Sequence, residues 1–173
     1  MVELFRRTLT PMLLVAVLAA TVGCDRVTKR IAVENLAGAA DLTFLGGTLR
    51  VVYAENTGGF LSLGSDLPPR WRTGVFVGAT GALLVAGLIG LVRARGNRLY
   101  LLGATLFLAG GVSNWIDRLA HGKVVDFLSV GVGPLRTGVF NVADVAILTG
   151  LAVVLLTEFQ RPASGPRHVT DPA

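Results

Sequence analysis

The chain has 173 residues, 52% of them apolar and 16% charged, with 22 glycines, a mean hydropathy of +0.64 and a net charge of +5. A soluble domain carries roughly 25% charged residues, and disorder needs low hydrophobicity with high net charge, so both classes are excluded. The length admits one domain. The basic residues are 14 Arg and 2 Lys set between apolar runs, a pattern that points to a membrane and not to nucleic acid. Cys24 stands alone, so no intrachain disulfide can form. His121 and His168 are far apart and give no Cys/His spacing for zinc or haem.

A bilayer core takes about 20 apolar residues per helix. Residues 8–23 form an uncharged run after Arg6 and Arg7. Residues 73–92 form a second between Arg72 and Arg93, and residues 99–116 a third between Arg98 and Asp117. Residues 137–157 form a fourth, interrupted only by Asp144. Four spans follow, with residues 1–160 as one membrane domain and 161–173 as a Pro/Ser/Gly-rich tail. An even number of spans puts both termini and the short Arg93–Arg98 turn on one side. The long connection after the first span is more than a linker. Residues 42–53 read as two β-runs around Gly46-Gly47, the core of a β-rich loop covering about 40–70. Pro68-Pro69 then breaks the chain, and Trp71 takes an interfacial position.

Thr21-Val22-Gly23-Cys24 loosely matches a lipobox, the lipid-attachment site of bacterial lipoproteins. Three further spans make a small-residue helix end the better reading, with Cys24 neither lipidated nor cleaved.

Ionisable groups at membrane depth cost roughly 2.5–3.5 kcal/mol each on insertion scales, so they mark function. Asp144, in Phe140-Asn-Val-Ala-Asp-Val-Ala-Ile147, is expected one to two turns into the fourth span with Asn141 on the same face. Gly110-Gly-Val-Ser-Asn-Trp-Ile-Asp-Arg118 brings Asn114, Asp117 and Arg118 to the end of the third span. Asp126 follows between apolar neighbours in Val124-Val-Asp-Phe-Leu128. Glu55-Asn56-Thr57-Gly58-Gly59-Phe60 reaches the same end of the bundle. Asp25 and Lys29, at i,i+4, read as a helix-end ion pair, and Asp117 beside Arg118 as an interfacial pair. Asn56-Thr-Gly58 is equally good as a plain turn, and span glycines read as helix-packing contacts. Two converging acids can bind a cation, relay protons, or act as an aspartic dyad in which one carboxyl keeps a proton and the other activates water. Spacing alone does not choose among the three.

In order along the chain, Asp25-Arg-Val-Thr-Lys29, Asn56-Thr-Gly58, Gly110-Gly111, Asn114-Trp-Ile-Asp117-Arg118, Gly122-Lys-Val-Val-Asp126-Phe127 and Phe140-Asn141-Val-Ala-Asp144 resemble the motifs of the lipoprotein signal peptidase (signal peptidase II) family. The likeness spans about 25–147. Each motif alone is weak; together, in order, they are specific. The resemblance implies a membrane all-α fold of four transmembrane helices with a small extracytoplasmic β-cradle. It implies a bacterial inner-membrane aspartic endopeptidase, with both termini cytoplasmic and the active site at the outer face. Its substrates would be prolipoproteins carrying diacylglyceryl-cysteine, held with membrane lipid and cut just before that cysteine. By position, Asp126 and Asp144 match the catalytic pair. Asn56, Gly58, Asn114, Arg118 and Asn141 match residues around substrate or dyad, and Asp25, Lys29 and Asp117 a supporting set. No metal, organic cofactor or nucleic acid is implied. The chain departs from the family pattern in several places. Ser113 stands where glycine is common, and Gly59-Phe60-Leu61 replaces a small pair before Phe. Thr137-Gly138 replaces an aromatic-proline pair, and the 128–136 loop has no His. These point to a diverged paralogue with its own clients. The alternatives are a small proton- or cation-handling membrane protein and a non-cleaving lipoprotein-binding paralogue.

Overall fold

Backbone in hydrocarbon must satisfy its own hydrogen bonds, which apolar runs of this length do as helices. A computed structural model describes residues 2–59, 63–94 and 97–160. Its helices are α1 (Val2–Leu36), α2 (Pro69–Thr73), α3 (Thr80–Arg93), α4 (Arg98–His121) and α5 (Val142–Phe159). A π-helical stretch, Gly74–Ala79, joins α2 to α3. Four helical segments among the described residues are long and apolar enough to cross a membrane: Pro11–Leu36, Pro69–Arg93, Arg98–His121 and Val142–Phe159. The strands are β1 (Leu42–Phe44), β2 (Leu49–Asn56), β3 (Val124–Val132) and β4 (Leu135–Arg136). They form one antiparallel sheet in the order β1-β2-β3-β4.

Several boundaries differ from the sequence expectation, and three of them have a physical reason in the packing. The first helix does not stop near Gly23. Its 35 residues run on to Leu36, about 52 Å at 1.5 Å per residue, because Asp25 and Lys29 are spent inside the bundle and Ala32 and Leu36 pack on Phe127 of β3. Cys24 is therefore an exposed residue within a continuous helix, not at a helix end. The second span begins earlier, at Pro69: Pro68 sits at the N-cap, where Pro-Pro starts the helix instead of merely breaking the chain. The fourth helix begins later, at Val142, because the preceding residues complete the sheet. There Phe140 N–H donates to Leu128 O at 2.8 Å and Thr137 N–H to Val130 O at 2.8 Å.

The expected hairpin forms, with β1 and β2 joined through a 3₁₀ turn at Leu45–Gly47 in which Gly46 has φ 62°. The longest strand is β3, in a stretch that by sequence resembles a connection between spans. It pairs with β2 through Ala54↔Asp126 and Asn56↔Val124, with a bulge between Val51 and Ala54. Arg136 locks this corner by donating to the carbonyls of Gly47, Thr48, Ser129 and Gly131.

The bundle is closed by small residues where helices cross. A Cβ on Gly103 would lie 2.7 Å from Val153 Cγ1, and one on Gly87 2.7 Å from Leu108 Cδ2. The π-helical stretch leaves Val77 O to accept a 2.8 Å bond from Trp115 Nε1, the usual way a bulged turn re-satisfies its carbonyls. Large apolar side chains face outward (Leu83 is 72% exposed and Phe159 85%) while Asp25, Lys29, Ser113, Asn114, Asp117, Asp126 and Asn141 are buried. All seven lie at one end of the bundle. The C-terminal tail proposed from composition, and Phe60 and Leu61, lie outside the described residues.

Candidate active site

Charge buried at that end is tolerable only if every polar group is paired, and the pairing builds the site. Lys29 has three donors and fills all of them, at 2.7 Å each, with Asp25 Oδ2, Asn114 Oδ1 and Asp117 Oδ2. Asp25 also accepts from Ser113 Oγ at 2.7 Å and from the backbone N–H of Ala143 at 2.8 Å. The pair is thus no local helix-end bridge. It fastens α1 to α4 and holds a free N–H in the first turn of α5. Asp117 also lies 3.5 Å from Arg26. Its ion pairs go to Arg26 and Lys29 of α1 and not to Arg118, which corrects the expected Asp117–Arg118 interfacial pair.

Lys29 is a donor only, so Asn114 must turn its carbonyl oxygen toward it and its NH₂ away. Asn114 Nδ2 then donates to Asp144 Oδ1 at 2.9 Å. Asn141 is the N-cap of α5, and Asp144, three residues on, is its capping-box partner. Asn141 Oδ1 accepts from Asp144 N–H at 3.0 Å, and Asp144 Oδ2 accepts from Asn141 N–H at 3.0 Å. Asp144 therefore sits in the first turn of α5 instead of one to two turns inside it. A cap needs its acid at N3, and α5 starts only after β4 and the Phe140 bridge. Asn141 Nδ2 donates in addition to Asp126 Oδ1 at 2.6 Å and to Asn114 Oδ1 at 3.2 Å.

Asp126 stands on β3, on the sheet face shared with Asn56, whose Nδ2 donates to Asp126 Oδ2 at 3.1 Å. The rest of the Asn56 amide is spent on its own loop. Nδ2 also donates to Gly59 O at 3.1 Å, and Oδ1 accepts from Gly58 N–H at 3.0 Å. Arg118 closes this loop onto α4, donating from Nη2 to Gly58 O at 2.6 Å and from Nη1 to Asn114 O at 3.2 Å. Its guanidinium lies 5.7 Å over the Phe76 ring, and a Cβ on Gly59 would touch the same ring at 3.0 Å. A close approach of backbone to aromatic thus explains the glycine there.

The ten residues singled out in the sequence are therefore one connected network. Asp126 and Asp144 come from different elements and meet at Asn141, whose side chain holds one and whose backbone holds the other. Each of their four carboxylate oxygens accepts one hydrogen bond in this network, leaving a second lone pair on each. Burial first, and then the negative charge of Asp144, push the Asp126 carboxyl up to about 6, against the opposing pull of the Asn56 and Asn141 amides and of Lys29. Two acids whose charges oppose each other this way favour holding one proton between them. Among the described residues no group of three or more His, Cys, Asp or Glu is placed to hold a metal ion.

Sequence reasoning underrated Ser113, which appeared there only as a departure from pattern. Its signal was a small polar residue one position before Asn114 on an otherwise apolar helix. It also left out the backbone N–H of Ala143, which no side-chain pattern reports.

Residues 17–160 match the family described as Signal peptidase (SPase) II. A lipoprotein signal peptidase of Nostoc sp. is 35% identical over 140 residues, covering 81% of this chain and 85% of the relative. One of Solibacter usitatus is 33% identical over 147 residues, covering 84% and 89%. A solved bacterial membrane enzyme shares the fold with a TM-score of 0.75 at 20% identity, over 91% of this chain and 94% of its own. The matched segment holds all the buried polar residues of the network and all four helical spans reach into it, so the chain belongs to the signal peptidase II family of membrane proteases.

Proposed function

We propose that the protein is an aspartic endopeptidase that removes signal peptides from prolipoproteins, cutting before a diacylglyceryl-modified cysteine, with Asp126 and Asp144 as the catalytic pair. The observation that carries this reading is the convergence of the two acids on Asn141, at 2.6 Å to the side chain and 3.0 Å to the backbone. In the reaction the dyad starts with one proton. The ionised carboxylate takes a proton from water, and the water oxygen attacks the scissile carbonyl carbon. The other carboxyl gives its proton to the carbonyl oxygen; the first then passes the water's proton to the leaving nitrogen, the C–N bond breaks, and a hydroxyl of the intermediate returns a proton to the other carboxylate, restoring the singly protonated dyad. The asparagines supply orientation. By donating to one lone pair of each carboxylate oxygen they leave the other lone pairs for water and substrate.

The site's position serves such a substrate. The dyad lies where α4 ends, α5 begins and the sheet rests on the bundle, the level of a membrane surface. Lipid tails can stay in the bilayer there while the peptide bond reaches water. In this reading the sheet and dyad face the extracytoplasmic side of the bacterial inner membrane, and both termini face the cytoplasm. Asn56 and Gly58 in the loop, together with Arg118, Asn114 and Asn141, bound the peptide's place beside the acids.

The test is cleavage of a diacylglyceryl prolipoprotein by purified protein, followed by mass spectrometry. Asp126→Asn and Asp144→Asn should each abolish signal-peptide release while the protein still inserts and unfolds normally, since an amide keeps the shape but cannot act as base or share the proton. Turnover by either variant at the wild-type rate would refute the assignment.

A further inference from the structure

A cavity with a cationic lining lies on the back of this network. It measures about 440 Å³, in the range of sites that hold small ligands. Arg26 and Arg30 of α1, His121 at the end of α4 and Lys123 just before β3 line it, with Lys29 and Asp117 as its inner wall. Alternation along β3 turns Val125, which lines the cavity, away from the face that carries Asp126, so the cavity and the dyad occupy opposite sides of the sheet.

The cations differ in how tightly they are held. Lys29 is buried with all three donors filled. The others are not. Arg26 is 3.5 Å from Asp117 and 41% exposed, and Arg30 meets Glu34 with 81% exposure of its side chain. Lys123 meets Glu55 at 38% exposure. The Arg30–Glu34 and Lys123–Glu55 pairs are exposed at both ends; such pairs contribute little and are screened by salt, so these two side chains can turn to a stronger anion at small cost, and Arg26 is only loosely held by the buried Asp117 at 3.5 Å. Asp117 is the one acid in the lining, and Glu34 and Glu55 stand at the rim.

Height in the membrane identifies the anion. His121 ends a membrane-length helix and Gly122 caps it with φ 71°, so the cavity mouth lies at a bilayer surface. Toward the N-terminus from Arg26, the α1 surface is apolar and open, with Met12, Leu13 and Val15 between 62% and 68% exposed. A basic cavity at headgroup level above an exposed apolar helix face suits a phosphate joined to acyl chains. We propose that this cavity binds the phosphate of an anionic phospholipid, with Arg26, Arg30 and Lys123 as its ligands and the acyl chains lying along α1.

The full-length protein in zwitterionic detergent would be titrated with phosphatidylglycerol or with phosphatidylcholine, and retained lipid counted by native mass spectrometry. One phosphatidylglycerol should be held in preference to phosphatidylcholine. Arg30→Gln with Lys123→Gln should weaken it about thirty-fold, each cation near an anionic surface contributing about fivefold. The single variants, on separate elements, should each show a partial loss with an unchanged thermal midpoint, which keeps the test readable if the double variant folds poorly. Equal retention by wild type and both single variants, or equal binding of the two lipids, would overturn the proposal. Displacement of the lipid by millimolar inorganic phosphate alone would overturn the lipid source and assign the cavity to a soluble phosphate. None of these readouts depends on cleavage, so a failed peptidase assay and a failed lipid assay remain distinct.

Discussion

Asn141→Ala is the most informative perturbation of the proposed dyad, because one side chain touches everything that matters. Its amide donates to Asp126 Oδ1 at 2.6 Å and its carbonyl oxygen caps α5 through Asp144 N–H at 3.0 Å. A hydrogen bond to a charged group contributes about 1.5–3 kcal/mol, and one pH unit corresponds to 1.36 kcal/mol. Losing the amide therefore disfavours the charged dyad by about 1–2 pH units. The sign follows from what the amide stabilises: it donates to the carboxylate form, so its removal raises the pKa at which the last proton leaves. With Asp126 placed at about 6, a dyad that works with one proton loses activity as pH climbs through that value. In the variant this alkaline limb should move upward by the same 1–2 units, to about 7–8. The lost cap should also cost about 1 kcal/mol of stability. Cleavage rates over pH 4–9, normalised to each enzyme's maximum, read the shift, and thermal unfolding in detergent reads the cap. Asn56→Ala removes a longer bond, 3.1 Å, from a half-buried donor to the same buried carboxyl, and should shift the limb in the same direction. An unmoved or lowered limb in Asn141→Ala and Asn56→Ala would refute the claim that these amides set the dyad's protonation.

Asp117→Asn should keep measurable activity, since Lys29 retains Asp25 and Asn114 and neither acid of the dyad is touched; a dead Asp117→Asn beside an active Asp126→Asn would reverse the assignment. Asn56→Ala and Gly58→Val should lower turnover strongly with little change in thermal midpoint, while Asp41→Ala and Thr48→Ala should do little. Equal, small effects at all four positions would reduce the loop to a connector. Intact-mass measurement of the extracted chain should show Cys24 unmodified and the segment before it present, because α1 is continuous through Cys24 and docks both α4 and the sheet; a diacylglycerol adduct with loss of residues up to Gly23 would contradict this.

Much of this architecture was legible in the residue order because the bilayer imposes a length and a polarity on each span. Runs of apolar residues reported the helices, and acids or amides placed against them reported the site. The sheet was legible by half. Gly46-Gly47 between two β-runs announces a hairpin, whereas Val124–Val132 hides its strand character behind Asp126 and a short connection that looks like a loop between spans. Helix ends were the least legible. Asp144 looked embedded because the apolar run starts at Thr137, yet residues before Asn141 are taken by the sheet, and only then does the cap form.

Asp25 and Lys29 show why spacing alone misjudged the supporting set. An i,i+4 pair suffices to explain two charges on an exposed helix, where it contributes little. Buried, the same pair leaves one carboxylate oxygen of Asp25 and two hydrogens of Lys29 unsatisfied, and each omission carries a desolvation cost. The structure fills them from four other residues: Ser113, Ala143, Asn114 and Asp117. Those four lie near the end of α4 and the start of α5, beside Asp144. The demand to satisfy one ion pair thus fixes the distance between α1, α4 and α5, and with it the orientation of Asn114. Ser113 takes its meaning from this requirement: with glycine at that position Asp25 would lose a donor but keep Lys29 and Ala143, so the hydroxyl tightens a contact that the pair already makes.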